Sequence, residues 1–144
     1  MRIFLTGATG YVGRAVLDAL LKGQHSVTAL VRNNARAQEI ADKGAHPVVG
    51  NLADPESYRV AAEAQDGYVH TALDRTSGRA PEIDRLVLDV LLAAASRPRT
   101  AGPSVPPTRC LVYTSGLWVL GRTAEPVGED APVNPIADRK STRL

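Results

Sequence analysis

The amino-acid sequence predicts an α/β fold in which helices cover both faces of a doubly wound parallel sheet. Short apolar runs alternate with amphipathic stretches along the chain, in the order βαβαβαβαβ. A glycine-rich turn joins the first apolar run to the first amphipathic stretch. Crossovers between parallel strands are almost always right-handed, so these units wind into one sheet. The 144 residues, 44% of them hydrophobic, suffice for one globular domain, residues 1–144.

Each predicted strand is a short apolar run bounded by turn residues. The five strands are Arg2–Thr6, Ser26–Val31, His46–Val49, 68–71 and 110–114. The four predicted helices are Tyr11–Lys22, 35–43, 54–64 and 81–97. Asp54-Pro55-Glu56 is typical of a helix start, with Asp54 as the N-cap. Residues 98–108 hold four prolines and form a loop, and we predict no further helix or strand after Ser115.

Apolar residues recur at helical spacing in the first and last predicted helices. In the first helix the apolar positions are Val12, Ala15, Val16, Ala19 and Leu20. In the last helix they form the stripe Ile83, Leu86, Val87, Val90, Leu91 and Ala94. We expect Asp84, Arg85 and Asp89 to lie mostly off this stripe.

The glycine-rich turn has the pattern G-x-x-G-x-x-G at Gly7, Gly10 and Gly13. The first glycine allows a tight turn, the second lets backbone approach a pyrophosphate, and the third lets the helix pack closely on the strand. The pyrophosphate would meet the free N–H groups of the helix N-terminus. Because the turn follows the first strand and opens a helix, it predicts dinucleotide binding.

The end of the second strand indicates which dinucleotide is bound. Domains that bind NAD usually carry an acidic residue at the end of this strand, where it binds the ribose hydroxyls. This chain has Arg32-Asn33 at that place. Arg32 is placed to pair with a 2′-phosphate, and Arg14 and Arg36 could assist. For Arg36 the alternative, a solvent-exposed residue at the start of a helix, is favoured. We therefore expect NADP as the cofactor in preference to NAD.

Composition excludes several other classes of function. A net charge of +2 is too small for a nucleic-acid surface, and no apolar run reaches the roughly 18 residues of a membrane span. The single cysteine, Cys110, cannot form an internal disulfide, so we expect a reducing cytoplasm. Three histidines on separate strand regions show no ligand spacing, so no metal site is predicted.

Four motifs resemble motifs of the short-chain dehydrogenase/reductase superfamily. The resemblance is to its extended and atypical branches, which are the NAD(P)-dependent epimerase/dehydratase family. TGATGYVG at Thr6 to Gly13 is similar to the cofactor turn of that Rossmann-type fold. GNLAD, which begins at Gly50, resembles the family's G-D-x-x-D segment, and VHTA, which ends at Ala72, resembles its V-x-H-x-A segment. LVYTSG, which begins at Leu111, resembles the strand that ends in the family's catalytic Ser or Thr.

The resemblance implies roles for individual residues. The implied cofactor-binding residues are Gly7, Thr9, Gly10, Tyr11, Val12, Gly13, Arg32, Asn51, Leu52, Thr71 and Ala72. Asn51 and Leu52 would lie along the adenine, and Thr71 and Ala72 beside the nicotinamide ribose. Ser115 is the best match to the catalytic Ser or Thr, with Thr114 as the neighbour that could substitute. We expect His70 to pack under the sheet, Tyr113 to belong to the core and Asp54 to cap its helix.

One family element is missing. The family uses a Tyr-x-x-x-Lys pair, in which the tyrosine exchanges a proton with the substrate oxygen. Lys140 matches the lysine, but Ile136 occupies the tyrosine position and carries no exchangeable proton. Three readings follow: part of an oxidoreductase, epimerase or dehydratase for a small carbonyl or sugar-nucleotide substrate; a non-catalytic dinucleotide-binding module; or an inactive truncated product. Since the family continues with further strands, we expect an incomplete domain, with a homo-oligomer as one way to supply them.

Overall fold

The computed structural model describes residues 1–98 and 108–135, and in this part five parallel strands form one sheet. The strands are β1 (Arg2–Thr6), β2 (Ser26–Val31), β3 (His46–Val49), β4 (Gly67–His70) and β5 (Cys110–Tyr113). Their order across the sheet is β3-β2-β1-β4-β5. The chain builds outward from β1 to β3, then crosses to the other side of β1 for β4 and β5. The predicted doubly wound fold is confirmed.

Helices cover both faces of this sheet. They are α1 (Tyr11–Lys22), α2 (Asn34–Asp42), α3 (Arg59–Glu63) and α4 (Ala80–Ser96), with 3₁₀ turns at Pro55–Ser57 and Leu117–Leu120. Because side chains alternate along a strand, Phe4 and Leu5 of β1 enter different cores. The core on the α1 and α2 side contains Leu5, Ala8, Leu17, Val27, Ala29, Val31, Ile40 and Ala45. The core on the α3 and α4 side contains Phe4, Leu30, Tyr58, Ala62, Tyr68, Val87, Val90, Leu91 and Ala94.

The single helix predicted for residues 54–64 is divided at Tyr58. Pro55–Ser57 is a 3₁₀ turn, and α3 begins only at Arg59. Tyr58 is fully buried and stacks on Phe4 with ring centroids 6.2 Å apart. Burial of this large side chain therefore wins over local helix propensity. Asp54 occupies the N-cap position of this 3₁₀ turn, as predicted, but its side chain makes no capping hydrogen bond.

The buried faces of two helices agree in part with those predicted: Val16 and Leu20 of α1 pack against the core, and the α4 stripe is buried apart from the half-buried Leu86. In α1 the buried residues are Gly13 and Leu17, whereas Val12 is 48% exposed. Gly13 lies against the turn, so Leu17, one helical turn later, points to the sheet. In α4, Asp84 is only 7% exposed and lies on the buried face, contrary to the expectation that it lies off the stripe.

Candidate functional site

The glycine-rich turn leaves the N-terminus of α1 open. Gly7 adopts φ +79°, which favours glycine, and its carbonyl accepts a hydrogen bond of 2.9 Å from the N–H of Gly10. Gly10 is the N-cap of α1 and supplies no side-chain acceptor. The first N–H groups of the helix therefore lack an intrahelical partner, and Tyr11 beside them is 97% exposed. An anion can approach these donors from solvent.

The turn packs directly on the segment that follows β4. A Cβ atom at Gly7 would lie 2.6 Å from the backbone nitrogen of Ala72, and one at Gly13 would lie 2.0 Å from the carbonyl oxygen of Gly7. No side chain fits at either position. Thr71 Oγ1 donates a 2.8 Å hydrogen bond to the carbonyl of Thr6, which ties β4 to the start of the turn. The structure thus brings together Gly7, Gly13, Thr71 and Ala72.

This contact lies at the carboxyl edge of the sheet, where the strand order reverses. β1 and β4 are neighbours, but the chain reaches β4 only after building β2 and β3 on the other side. In doubly wound sheets ligands bind in the crevice at such a switch point. The turn and the Thr71–Ala72 segment both lie at this switch point.

A group of arginines surrounds the start of α2. Arg32 follows β2, is exposed, and forms no ion pair with any residue in the described ranges 1–98 and 108–135. Arg14 and Arg36 both contact the carboxylate of Glu39, at 3.1 and 2.6 Å. The hydrogen bond from Arg36 is the main cause that lowers the pKa of Glu39. Asn33 caps α2 by accepting from the N–H of Arg36 at 3.0 Å.

The segment after β3 is held by short local bonds. Asn51 is exposed, and its Oδ1 accepts a 3.0 Å hydrogen bond from the N–H of Ala53. Ser57 Oγ accepts from the N–H of Asn51 at 3.0 Å. Leu52 packs against the core beside α3, and its carbonyl accepts from the buried Tyr58 hydroxyl at 3.4 Å. Burial raises the pKa of Tyr58 to about 12. The amide oxygen of Asn51 is thus turned to its own backbone.

The predicted catalytic residues are only partly described. Ser115 is exposed and lies two residues beyond the end of β5. Lys140 and Ile136 lie outside the described residues, so the predicted grouping of Ser115 with Lys140 stays a prediction. Within ranges 1–98 and 108–135, no three His, Cys, Asp or Glu side chains form a cluster that could hold a metal ion. The same part of the chain contains no helix long and apolar enough to cross a membrane.

A network of buried polar side chains lies beneath the carboxyl edge of the sheet. The sequence did not predict how many residues it joins. Thr6 Oγ1 and His70 Nδ1 are 2.5 Å apart, and His70 Nε2 lies 3.1 Å from Asp84 Oδ1. The Tyr113 hydroxyl donates to Asp84 Oδ2 at 2.5 Å. His70 is buried under the sheet as expected. A signal for Asp84 was available, because it precedes Val87, Leu91 and Ala94 at helical spacing.

Comparison with known proteins now identifies the family. A family model described as NAD(P)H-binding matches residues 7–99, which contain the turn, the arginine group and the Thr71–Ala72 segment. The chain belongs to this NAD(P)H-binding family. The resemblance to short-chain dehydrogenases/reductases and to epimerase/dehydratases is also confirmed, by relatives and by solved structures of this family.

The curated relatives are longer than this chain. A 4-hydroxy-2-methyl-3-oxo-4-farnesyl-3,4-dihydroquinoline-1-oxide ketoreductase of Stigmatella aurantiaca is 38% identical over 152 residues, covering 99% of this chain and 43% of the relative. A decarboxylating sterol-4-alpha-carboxylate 3-dehydrogenase of Dictyostelium discoideum is 27% identical over 93% of this chain and 42% of its own length. The chain thus spans less than half the length of either family member.

Solved structures of the family share the fold. A putative epimerase from Burkholderia cenocepacia matches with a TM-score of 0.74 and 25% identity, over 95% of this chain and 45% of its own. A short-chain dehydrogenase/reductase superfamily protein from Agrobacterium tumefaciens, solved with bound NAD, matches with a TM-score of 0.67 and 25% identity, over 95% of this chain and 40% of its own. An NADPH-dependent quinone oxidoreductase from Escherichia coli, complexed with NADPH, matches with a TM-score of 0.59 and 26% identity. The match covers 78% of this chain and 36% of the oxidoreductase.

Proposed function

We propose that this chain is the NADP-binding part of an oxidoreductase, epimerase or dehydratase that acts on a small carbonyl or sugar-nucleotide substrate. The observation that carries the proposal is the turn at Gly7 to Gly13, which has no room for a side chain at Gly7 or Gly13 and opens an uncapped helix at the switch point. The pyrophosphate would bind the free N–H groups of α1, near Thr9, Gly10, Tyr11 and Val12. We assign residues 1–144 to this domain.

The preference for NADP over NAD rests on charge at the end of β2. A 2′-phosphate adds negative charge that the 2′-hydroxyl of NAD lacks. Arg32 offers an exposed guanidinium there, and no acid stands at this strand end to accept ribose hydroxyls. Arg14 and Arg36 share the one carboxylate of Glu39, so these three side chains together carry a net charge of about +1 near the start of α2. This environment favours a phosphate over a hydroxyl.

The other predicted residues complete the coenzyme site in this proposal. Asn51 and Leu52 lie along the adenine, with the Nδ2 group of Asn51 as the donor, since its Oδ1 accepts from Ala53. Thr71 and Ala72 lie beside the nicotinamide ribose. The coenzyme supplies or accepts a hydride when bound.

In the proposed chemistry, Ser115 orients the substrate oxygen through its hydroxyl, and Lys140 holds the ribose. Ser115 is suited to this because it is exposed at the carboxyl edge, next to the strand that carries Thr71. Ile136 can neither donate nor accept a proton, so a different group must exchange the proton with the substrate.

The second candidate is a dinucleotide-binding or regulatory module without catalysis. Ile136 favours it, because an apolar side chain replaces the family's proton donor while the coenzyme-binding turn is intact. For either candidate we propose a reducing cytoplasm as the location, because Cys110 has no partner for a disulfide within the chain.

Isothermal titration with NADPH and NADH tests the proposal. We expect NADPH to bind more tightly, and Arg32→Ala to weaken NADPH about 10- to 100-fold, as loss of a charge-assisted hydrogen bond of about 1.5–3 kcal/mol implies. NADH should be unaffected. Arg85→Ala, which removes an exposed arginine from α4, is the matched control and should change neither affinity.

Two measurements test different parts of the proposal, the cofactor preference and the presence of catalysis. Tighter binding of NADH than NADPH by the wild-type chain would refute the preference for NADP. A screen of small carbonyl compounds with NADPH separates the two candidates: steady turnover supports an enzyme, and tight NADPH binding without turnover supports the binding module.

A further inference from the structure

The last row of the sheet aligns three polar side chains from three strands. Thr6 of β1 pairs in register with His70 of β4, and His70 pairs with Tyr113 of β5. Because residues in register point to the same face, all three side chains lie on the face covered by α3 and α4. Asp84 comes from the start of α4 on that face.

Hydrogen bonds join these four side chains into one network. The links are Thr6 Oγ1 to His70 Nδ1 at 2.5 Å, His70 Nε2 to Asp84 Oδ1 at 3.1 Å, and Tyr113 Oη to Asp84 Oδ2 at 2.5 Å. The rings of His70 and Tyr113 also stack, with centroids 5.7 Å apart. Thr6, His70 and Asp84 are buried, and Tyr113 is half-buried.

Both oxygens of Asp84 and both ring nitrogens of His70 take part in these hydrogen bonds. The carboxylate of Asp84 accepts from the hydroxyl of Tyr113 through Oδ2, and its Oδ1 is hydrogen-bonded to His70 Nε2. The other ring nitrogen of His70, Nδ1, is hydrogen-bonded to the hydroxyl of Thr6. In a buried site each of these bonds is strong, and leaving one partner unsatisfied is costly. The network therefore holds β1, β4, β5 and α4 in one arrangement.

Each member of the row immediately precedes a segment of the proposed site: Thr6 and His70 precede coenzyme-binding residues, and Tyr113 precedes the segment of the proposed substrate-orienting Ser115. Thr6 precedes Gly7, His70 precedes Thr71 and Ala72, and Tyr113 precedes the residues that lead to Ser115. We propose that Asp84 and His70 are positioning residues, which set coenzyme affinity by fixing these three segments relative to one another. The proposal rests on the proposed function, because it concerns the same site. Being buried, the two side chains act through these segments.

A pair of substitutions at Thr6 isolates the network from side-chain volume. Thr6→Val keeps the shape and removes the hydroxyl that bonds His70, whereas Thr6→Ser keeps the hydroxyl. We expect Thr6→Val to weaken NADPH binding about tenfold, the effect of one buried hydrogen bond, and Thr6→Ser to stay within about twofold of wild type, both by isothermal titration. In ¹H–¹⁵N spectra of the free chain, Thr6→Val should shift the amide signals of Gly10 and Gly13, which are not sequence neighbours of residue 6, and Thr6→Ser should not.

A purely structural role is separated by a core variant. Leu91→Ala opens a cavity in the core beneath α4 and lowers the melting temperature. Measured where every variant is folded, Leu91→Ala should bind NADPH like wild type and leave the glycine amides unshifted. If it weakens binding as much as Thr6→Val does, the proposal is wrong. Tyr113→Phe removes one hydroxyl and should weaken NADPH about threefold, so it decides the question if Thr6→Val does not fold.

The outcomes for the two proposals differ. A wild-type chain that binds neither NADPH nor NADH refutes the proposed function, and the glycine amide signals of the free variants still test the network. Wild-type affinity in both Thr6→Val and Tyr113→Phe, or unshifted glycine amides in both, would overturn the positioning role of Asp84 and His70.

Discussion

Replacement of Gly13 by alanine tests the coenzyme-binding turn most directly. The new Cβ would lie 2.0 Å from the carbonyl oxygen of Gly7, where ordinary contacts begin at 3.4 Å, so backbone must open by about 1.4 Å. Overpacking of this kind costs about 1–3 kcal/mol, and the higher helix propensity of alanine returns about 1 kcal/mol. We expect a net loss of at most about 2 kcal/mol, which is a fall in Tm of at most roughly 8 °C.

Coenzyme affinity should fall further than stability. Opening the turn displaces the N–H donors of α1, and losing one or two charge-assisted hydrogen bonds costs about 1.5–3 kcal/mol each. Gly13→Ala should therefore bind NADPH about 100-fold more weakly in isothermal titration. Gly10→Ala, whose Cβ would lie 3.2 Å from the same oxygen, should show an intermediate loss. Gly128→Ala meets nothing within 4 Å and is the control.

The reasoning fails on one result in particular. If Gly13→Ala binds NADPH within about twofold of the wild-type chain, the donors of α1 do not hold the pyrophosphate. A loss of affinity in Gly128→Ala as large as that in Gly13→Ala would instead point to a general effect of added side chains.

Three further predictions concern other parts of the chain. Glu39→Gln removes the carboxylate that two arginines share, so NADPH should bind about two- to threefold more tightly in isothermal titration with NADH unchanged, and weaker NADPH binding would contradict this. The hydrogen bond from Ser77 lowers the pKa of Asp74 to about 2. This depressed value contributes stability above the ordinary value of 3.8 that is lost as pH falls towards 2. An NMR titration should show the low pKa, and Ser77→Ala should raise it. Arg109 donates to three backbone carbonyls at 2.8 to 3.1 Å, so Arg109→Ala should lower the free energy of unfolding in urea by about 2 kcal/mol; an unchanged urea midpoint would rule this out.

The strands could be predicted because their signals are local. Buried parallel strands are short apolar runs between turn residues. The observed β4 begins and ends one residue earlier than predicted, and β5 ends one residue earlier. The division of the third helix could not be predicted in this way, since it depends on the stacking of Tyr58 on Phe4 from a distant strand. Helix propensity contains no information about that contact.

The candidate site divides along the same line. The turn glycines could be predicted, because their pattern reflects local φ angles and close backbone contacts. Their packing on Thr71 and Ala72 could be inferred only from the resemblance. The role of Asp84 was missed because a charged residue within a helix is ordinarily solvent-exposed. Its partners lie 14 and 29 residues away in sequence, so only the folded sheet brings them within hydrogen-bond distance.

Coenzyme binding and chemistry depend on different parts of this chain. Apart from Lys140, the proposed binding groups lie between Gly7 and Ala72, and they act mainly through backbone N–H groups and exposed arginines whose positions follow from the sheet and the turn. In the proposed function, proton exchange with the substrate depends instead on side chains from Ser115 onward, where the resemblance puts Ile136 at the position of the family's tyrosine. An apolar residue at that position does not touch the packing between turn and sheet in this proposal, so coenzyme binding does not require the standard catalytic pair. Affinity for the coenzyme therefore supports the fold and the family, and only turnover bears on the reaction.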